Sequence, residues 1–546
     1  MHVINTYKIR TSLIFILFCI LYAYAWFTLF IVQIRQHTFF TQLGNKQYYV
    51  TRTIQPPRST IYDRHGTILA MNKDMLSTFI LPRQLKDPAQ LKKFLAAHFP
   101  DALTRLEQAQ DRYFIYVHRH ITPAQEKLIK QKNIVDINFI QEPGRFYPLV
   151  GIGPILGITD QDNQGIMGIE LQYNQQLAGS PCIVSLQKDA RSGLFYFEQE
   201  TQQEGICGTP VQLTIDSTLQ YISYQAVKKT VESFGAQEGA ALIFNPINGE
   251  ILAMARYPDF DPNNRAHMNM ERTKNSLITD TYELGSVIKA CAALGILEEE
   301  AAIPDELIDC ENKATTMIDG IRVNTTDKSV AGEITFAQVI QKSNNIGMAK
   351  FTKRIGPKLY DHYQRMGFGT KTGIAFPGEQ SGFINPPATQ NRQSIFSLSY
   401  GYEMNLTLLQ LARFFGMLST GYLVTPTLLL NQESKKIDAG YSTRARDQLL
   451  AILEDTVNQG TAYRARIPGY TIRVKTGTAN LIDANGLYNH DRNIFTAAGI
   501  IEKGDYKRII VTFVKEVKQR NMYASQVAVP LLANIAERML IHDRII

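Results

Sequence analysis

The chain has 546 residues, of which 45% are hydrophobic and 20% are charged, with 36 glycines and 22 prolines. This composition is typical of a globular protein of roughly three or four domains, and it excludes a disordered, collagen-like or coiled-coil chain. The formal net charge of +7 is spread along the sequence without a basic cluster, so we expect no nucleic-acid partner.

The first predicted element is a membrane-spanning helix over residues 12–34. Only Ser12, Thr28 and Gln33 are clearly polar in this stretch, and none of its residues is charged. A run of about 20 such residues crosses the hydrocarbon layer as a helix. The apolar run continues well past the small residues of a possible cleavage site at 23–25, so we predict an uncleaved anchor after a cytoplasmic tail at 1–11. Basic residues on both sides leave its orientation open.

Residues 35–210 form a polar stretch of mixed pattern. It contains short apolar runs, turn signals and a helical piece around residues 123–132. This low regularity predicts a pedestal or interaction domain rather than a catalytic core. Cys182 and Cys207 flank a predicted hairpin, and both a disulfide between them and two free thiols remain open.

From residue 211 to 546 the pattern predicts an α+β domain. Asp216 is a good N-cap for a helix, and the Asn248-Gly249 dipeptide between two apolar runs indicates a hairpin. Residues 275–460 read as a mostly helical insertion, and Pro530 is a favoured first residue for a closing helix. A sheet that is interrupted by helices and flanked by terminal helices is α+β. The predicted strands are 240–244, 250–254, 470–474, 495–501 and 508–514.

The segment 285–297 carries the first candidate catalytic pair. It is apolar nearly all round, so we predict a helix buried in the core. Ser286 and Lys289 are three residues apart and share one face of that helix. A neutral lysine amine beside a serine hydroxyl can take its proton and activate it as a nucleophile. The same S-x-x-K spacing occurs at Ser185 and Lys188, so the pair alone also fits a helix start with a lysine that reaches solvent.

Two further motifs follow along the chain. The S-x-N motif Ser343–Asn345 could supply a hydroxyl for proton transfer and an amide that holds a peptide. The K-T-G-T motif Lys475–Thr478 follows a predicted strand, where a cation could bind a carboxylate and a glycine would let a substrate backbone approach. A second K-T-G, at 371–373, has no strand pattern before it. The order S-x-x-K, S-x-N, K-T-G is the signature of serine acyltransferases that recognise penicillin.

The chain resembles a class B penicillin-binding protein over nearly all of its length. Further family-like segments are 58–66 (RSTIYDRHG), 165–179, 212–216 and 248–263. Ser59 stands where the family usually has Gly, and Leu284 where it commonly has Pro. The resemblance implies a single N-terminal transmembrane helix, an elongated pedestal or dimerisation-type domain, and a transpeptidase domain with a five-stranded antiparallel sheet, as in serine β-lactamases.

The resemblance also implies a peptidoglycan D,D-transpeptidase that cross-links stem peptides ending in D-Ala-D-Ala, is acylated by β-lactams, and uses no metal or cofactor. Backbone N–H groups of Ser286 and Thr478 would form its oxyanion hole. The substrate lies outside the cytoplasm, which places residues after about 35 on the periplasmic side of the inner membrane. The implied roles are Ser286 as nucleophile, Lys289 as base, Ser343 as proton relay, Asn345 for the substrate amide, and Lys475, Thr476, Gly477 and Thr478 for the terminal carboxylate and backbone.

Several alternatives remain at the level of sequence. Segments 341–345 and 399–403 look most like division-specific, FtsI-type members, although elongation-specific members share the three motifs. A D,D-carboxypeptidase or β-lactamase, in which water replaces the acceptor amine, and an inactive scaffold or membrane sensor are further readings. For a division enzyme without a polymerase domain, we expect a SEDS-family membrane glycosyltransferase and other divisome proteins as partners.

Overall fold

The computed structural model describes residues 2–108, 112–188, 195–264, 268–483 and 485–545. Two compact units can be distinguished. The smaller comprises residues 1–57 and 178–208, and the larger comprises residues 58–177 and 209–546.

The strands of the described residues are numbered in chain order. They are β1 Tyr49–Ile54, β2 Ile61–Tyr62, β3 Ile68–Ile80, β4 Ile115–His118, β5 Asn138–Phe146, β6 Cys182–Lys188, β7 Phe195–Gln203, β8 Val211–Gln212, β9 Glu238–Phe244, β10 Ile251–Tyr257, β11 Leu307–Asp309, β12 Thr315–Ile318, β13 Ile321–Asn324, β14 Glu333–Thr335, β15 Phe383–Ile384, β16 Met404–Asn405, β17 Tyr422–Val424, β18 Lys436–Asp438, β19 Thr471–Ile482, β20 Tyr488–Lys503 and β21 Tyr506–Lys515.

The α-helices are numbered in the same way. They are α1 His2–Phe30, α2 His37–Tyr48, α3 Pro88–His98, α4 Pro100–Gln108, α5 Pro123–Lys132, α6 Gly153–Leu156, α7 Gly168–Gln172, α8 Asn174–Ala178, α9 Ser217–Phe234, α10 Met270–Thr273, α11 Ser276–Thr279, α12 Lys289–Glu298, α13 Phe336–Gln341, α14 Asn345–Ile355, α15 Lys358–Arg365, α16 Ser394–Ser399, α17 Leu408–Thr420, α18 Thr443–Asn458 and α19 Ala524–His542.

The smaller unit begins with the predicted apolar helix. The described segment Tyr7–Arg35 is long and apolar enough to cross a membrane, and it consists of α1 from Tyr7 onwards and a π-helical turn at Ile31–Arg35. The hydroxyl of Thr28 donates to the carbonyl of Tyr24 one turn earlier, which satisfies this polar group without water. Strands β1, β6 and β7 form an antiparallel sheet in this unit. Cys182 and Cys207 are both free thiols.

In the larger unit, residues 58–177 together with β8 form a mixed sheet with helices packed on it. The strand order is β4-β3-β2-β8, and β5 also pairs with β3. The helical piece expected around 123–132 is α5, which begins with a capping box between Thr122 and Gln125. Helices α3, α4 and α5 share one apolar cluster with β3 and β4, in which Leu91, Leu95 and Ile129 are buried.

The rest of the larger unit is the predicted α+β domain. Its sheet is five-stranded and antiparallel, in the order β10-β9-β21-β20-β19. Alternate residues of a strand point to opposite faces, and β9 follows this rule: Leu242 and Phe244 enter one apolar cluster, while Ala241 and Ile243 enter the other. Helices α9 and α19 cover one face, whereas α12 and α17 belong to the cluster on the other face.

The structure corrects several predicted boundaries in this domain. The third predicted strand, 470–474, is part of the twelve-residue β19, so the K-T-G-T motif lies within a strand rather than after one. The helix expected to begin at Pro530 begins at Ala524, with Pro530 inside it. Proline removes one helical hydrogen bond, but the burial of Val527, Leu531 and other apolar side chains of α19 against the sheet keeps the helix continuous.

The insertion between the two groups of strands is less uniform than predicted. Helices α11–α18 provide its core, but short two-stranded ribbons, β11 with β14, β12 with β13, β15 with β16 and β17 with β18, lie between them. Each ribbon strand has only two to four residues, which is too short for the alternating pattern that identifies a strand in sequence.

Candidate active site

The turn that carries Ser286 is fitted closely against the edge strand β19. Ser286 is half-buried and lies in a short 3₁₀ turn, Gly285–Ile288, which leads directly into α12. A Cβ atom added to Gly477 would lie 2.4 Å from the carbonyl oxygen of Leu284, and one added to Gly285 would lie 2.6 Å from that of Thr478. Glycine is therefore required on both sides of this contact.

Lys289 is the first residue of α12 and its side chain is fully buried. Its Nζ donates to the carbonyl oxygen of Ser343 at 2.6 Å and to Oγ of Ser343 at 3.1 Å. Within the described part of the chain, no hydrogen bond joins this amine to Ser286, although the two residues share the start of one helix. Ser343 thus holds the amine of Lys289, and Lys289 itself follows the candidate nucleophile Ser286 by one helical turn.

Ser343 lies in the turn between α13 and α14, with a left-handed φ of 58°. The neighbouring Asn344 holds this turn, because its side chain accepts from the N–H of Gly347 and donates to the carbonyl of Ser329, both at 2.7 Å. Lys475 of β19 reaches the same hydroxyl, with its Nζ 3.2 Å from Oγ of Ser343. Two buried lysine amines therefore meet at one serine hydroxyl.

Burial lowers the pKa of both lysines, and the charge of Lys475 lowers that of Lys289 further. The pKa of Lys289 is lowered well below its ordinary value, first by burial and then by the charge of Lys475. Burial alone lowers the pKa of Lys475 to about 7. Within the part of the chain that the structure describes, neither amine has a carboxylate in salt-bridge contact. A neutral Lys289 beside a Lys475 that can still carry charge suits a base and a cation, respectively.

The remaining predicted residues lie around this centre with contacts of their own. Asn345 is the first residue of α14, and its side-chain amide donates to the carbonyl of Asn324 at 2.7 Å. The hydroxyl of Thr476 is 3.1 Å from that of Thr461. The hydroxyl of Thr478 accepts from the backbone N–H of Ala524, at the start of α19, at 3.3 Å.

The orientation of Thr478 bears on an oxyanion hole. Its carbonyl oxygen faces Gly285, as the close approach at that glycine shows. The N–H and C=O groups of one strand residue point to the same side, and β19 is an edge strand whose outer side has no pairing partner among the sheet strands. We therefore expect the N–H of Thr478 to face the turn that carries Ser286.

Sequence reasoning missed a second group beside the Ser286 turn. Glu283, three residues before the serine, accepts from the N–H of Glu403 at 2.9 Å and from the hydroxyl of Tyr488 at 3.2 Å. Tyr488 packs edge-on against Tyr402. Burial raises the pKa of Glu283. These residues come from separate parts of the chain and have no common motif, so only the fold brings them together.

The repeated motifs do not join this centre. Ser185 lies on β6 of the smaller unit. The K-T-G at 371–373 lies between helices and strands, where the hydroxyl and N–H of Thr372 both donate to the buried Glu379. The assignment of catalytic roles to Ser286, Lys289, Ser343 and Lys475 rather than to these copies stays a prediction.

Comparison with known proteins agrees with this geometry. The family described as "Penicillin binding protein transpeptidase domain" matches residues 239–537, and "Penicillin-binding Protein dimerisation domain" matches residues 53–213. A protein of Pseudomonas aeruginosa named probable peptidoglycan D,D-transpeptidase PbpC is 28% identical, over 92% of this chain and 90% of its own length. The peptidoglycan D,D-transpeptidase FtsI of Buchnera aphidicola is 27% identical, over 88% of this chain and 86% of its own length.

A solved structure shows the same fold. Penicillin binding protein 3 of Mycobacterium tuberculosis, in complex with aztreonam, superposes with a TM-score of 0.69 at 22% identity, over 90% of this chain and 97% of its own. The transpeptidase match alone covers more than half of the 546 residues, and it includes all three motifs around Ser286. The chain belongs to the class B penicillin-binding proteins, which combine the dimerisation and transpeptidase domains of that family.

Proposed function

We propose that this protein is a peptidoglycan D,D-transpeptidase that works through an acyl-enzyme on Ser286. The observation that carries the proposal is the meeting of Lys289 and Lys475 at the hydroxyl of Ser343, beside the turn of Ser286. The names of the relatives from Pseudomonas and Buchnera support the same reaction.

In the first step, Oγ of Ser286 attacks the carbonyl carbon of the penultimate D-Ala, and its proton passes to the neutral amine of Lys289. The tetrahedral intermediate collapses by breaking the C–N bond to the terminal D-Ala. That leaving amine takes up a proton through the hydroxyl of Ser343, to which Lys289 already donates. The products are free D-Ala and an ester on Ser286.

In the second step, the amine of a neighbouring stem peptide attacks this ester. A proton of the attacking amine returns, by the same groups in reverse, to Oγ of Ser286, and the C–O bond breaks to leave a new peptide bond. A β-lactam enters the first step in place of D-Ala-D-Ala. Its ring C–N bond opens, but the leaving amine stays attached, so the acyl-enzyme persists.

Substrate binding follows from the walls of the site. Lys475, with the hydroxyls of Thr476 and Thr478, would bind the terminal carboxylate, since a charged donor gives the stronger hydrogen bonds. Because the Thr478 hydroxyl accepts from Ala524, its own proton remains available for that carboxylate. The N–H groups of Ser286 and Thr478 would hold the oxyanion. Asn345 would bind a substrate amide after leaving the carbonyl of Asn324.

The decisive experiment is covalent labelling with a fluorescent penicillin. Ser286→Ala should abolish the label while the protein still folds, since a half-buried hydroxyl is lost and no core volume is removed. The matched control Ser185→Ala, at the copy of the motif, should label like wild type. Labelling that survives in Ser286→Ala would reject the nucleophile. A label that is lost within minutes from wild type would instead identify a hydrolase of the β-lactamase type.

For the cellular role we propose septal wall synthesis during division, with a SEDS-family membrane glycosyltransferase and other divisome proteins as partners. The FtsI name of the Buchnera relative supports this assignment over lateral-wall synthesis. A fluorescent fusion should gather at midcell in dividing cells, and an even distribution along the lateral wall would reject it. The glycosyltransferase should co-purify with the full-length protein from detergent, but not with an unrelated single-pass protein.

A further inference from the structure

A cluster of two histidines and one aspartate lies outside the three catalytic motifs. The Nε2 atoms of His65 and His542 each lie 3.0 Å from the same oxygen, Oδ2 of Asp216. The three atoms are all within 4.8 Å of one another. They come from the turn between β2 and β3, the residue before α9 and the last residue of α19, which are far apart in sequence but belong to one compact unit.

The carboxylate of this cluster is already oriented. Its Oδ1 caps α9 by accepting from the N–H groups of Thr218 and Leu219, both at 3.0 Å, and this leaves Oδ2 directed at the two imidazoles. The side chain of Asp216 is only 5% exposed, whereas those of His542 and His65 are 27% and 61% exposed. The site therefore has a fixed inner ligand and an open outer side through which an ion can enter.

A second carboxylate fixes the backbone that carries two of these residues. Oδ1 of Asp63 accepts from the N–H of His65 at 2.8 Å, and its Oδ2 accepts from the hydroxyl of Ser217 at 2.7 Å. Asp63 is fully buried. Asp63 thus joins the segment before β3 to the start of α9. It does so without using Nε2 of His65 or Oδ2 of Asp216, which stay available for an ion.

We propose that His65, Asp216 and His542 form a binding site for a zinc-type divalent metal ion. Two imidazole nitrogens and one carboxylate oxygen suit zinc, whereas magnesium and calcium prefer oxygen ligands alone. Ligands at about 2.0–2.2 Å around a tetrahedral ion lie roughly 3.3 Å apart, close to the two 3.0 Å separations observed. The exposed ring of His65 can turn to bring its Nε2 to the same distance from Nε2 of His542. Water would fill the fourth coordination position of the ion.

Such an ion would fasten the C-terminal end of α19 to the start of α9 and to the turn at His65. These two helices lie on the same face of the catalytic sheet, and the other end of α19 provides the N–H that contacts Thr478. The site would therefore stabilise the scaffold of the transpeptidase domain without entering its chemistry.

The test is zinc binding to the full-length protein in detergent, measured by competition with a chromogenic zinc chelator and by the shift in Tm. We expect one zinc ion per chain and a rise in Tm. His65→Gln and His542→Gln should each weaken binding by about tenfold or more, since even losing a group that supports a ligand costs that much. Asp216→Asn should do the same, and Asn retains the helix cap. His98→Gln, at an exposed histidine of α3, is the matched control.

Cobalt provides a second readout that is independent of stability. It should give the absorption of a tetrahedral complex with nitrogen and oxygen ligands, without a thiolate charge-transfer band, and His542→Gln should remove this spectrum. Zinc binding that is unchanged in His65→Gln and His542→Gln, or that requires the free thiols of Cys182 and Cys207, would overturn the proposal. So would the failure of wild type to bind zinc. Penicillin labelling of these variants should equal that of wild type.

Discussion

At the scale of single residues, the two buried lysines differ in the charge that each must carry. Lys289→Arg should lower the rate of acylation by about 10²–10⁴-fold, the usual contribution of a general base, because a guanidinium stays protonated and cannot accept the serine proton. Lys475→Arg should lose less, since that position needs a cation for a carboxylate. The measurement is the second-order rate constant of acylation by a penicillin at pH 7–8.

Two outcomes would contradict these assignments. If Lys289→Arg acylates near the wild-type rate while Lys475→Arg is inactive, the two lysines have each other's role. If both variants keep full activity, neither lysine is catalytic and the three-motif interpretation fails.

The pKa values of the pair predict how acylation depends on pH. Lys289 must be neutral, and its lowered pKa means that the rate should already be high at neutral pH rather than rising towards pH 10. Lys475 must be charged, and with a pKa of about 7 it loses its proton as the pH rises through neutrality. The rate constant should therefore follow a bell-shaped curve, with apparent pKa values that belong to the coupled pair.

Lys475→Arg distinguishes the two limbs of this curve. Arginine keeps its charge, so the alkaline decline should disappear in this variant while the acid limb remains. A wild-type rate that rises about tenfold per pH unit from 7 to 10 would show that Lys289 has the pKa of an ordinary lysine, and it would contradict the burial argument.

At the scale of elements, a buried ion-pair network joins α7 to two other segments. Glu170 of α7 is fully buried and accepts from Arg58, ahead of β2, and from Arg145 of β5. Arg58→Ala should lower the free energy of unfolding by about 3–5 kcal/mol, because it breaks a buried ion pair and leaves buried acceptors of Glu170 and Asn174 without their donor. The measurement is unfolding of the full-length protein in detergent.

The control uses the same substitution in an exposed pair. Arg444 and Glu300 form a salt bridge whose side chains are 66% and 76% exposed. Solvent screening leaves such pairs with about 0–1 kcal/mol, so Arg444→Ala should change stability little. Equal losses in the two variants would mean that burial does not determine the strength of this network.

The same elements show what the sequence could predict. The strands of the sheet read as apolar runs because helices cover both faces, and the helix after Ser286 is apolar all round because it is buried. Boundaries were harder to place. β19 continues through Lys475–Thr478 although that motif has little strand character, because pairing with β20 extends along the whole segment. Pro530 indicates a helix start by local propensity, but packing of α19 overrides it.

The candidate site was predictable as far as its motifs reach. The meeting of Lys289, Ser343 and Lys475 follows from a recognisable pattern of residue types. The contact of Thr476 with Thr461 and that of Thr478 with Ala524 were not predictable, since a hydroxyl and a backbone N–H have no sequence signature. The same holds for the cluster at Asp216, whose histidines are separated from each other by most of the chain.

At the scale of the whole molecule, the strands and the other helices of the described residues all follow the apolar helix in the sequence. The proposed substrate is extracytoplasmic, and long translocated domains are largely insensitive to the charges that flank a span. We therefore expect the residues after the span to lie outside the cytoplasm, and the residues before the span to lie inside. Two cysteines can report this: Cys207 is an exposed free thiol, whereas Cys291 is fully buried.

The measurement is labelling of intact, reduced spheroplasts with a membrane-impermeant maleimide. The protein carries Cys182→Ser, because Cys182 is partly exposed and would otherwise react as well, whereas Cys291 and Cys310 are buried. The protein should be labelled at once, and the further change Cys207→Ser should remove the label while Cys291 stays unreactive, because its burial protects it and raises the pKa of its thiol. Labelling that appears only after the membrane is permeabilised would place Cys207 in the cytoplasm. That topology would separate Ser286 from peptidoglycan and contradict the proposed reaction together with the orientation.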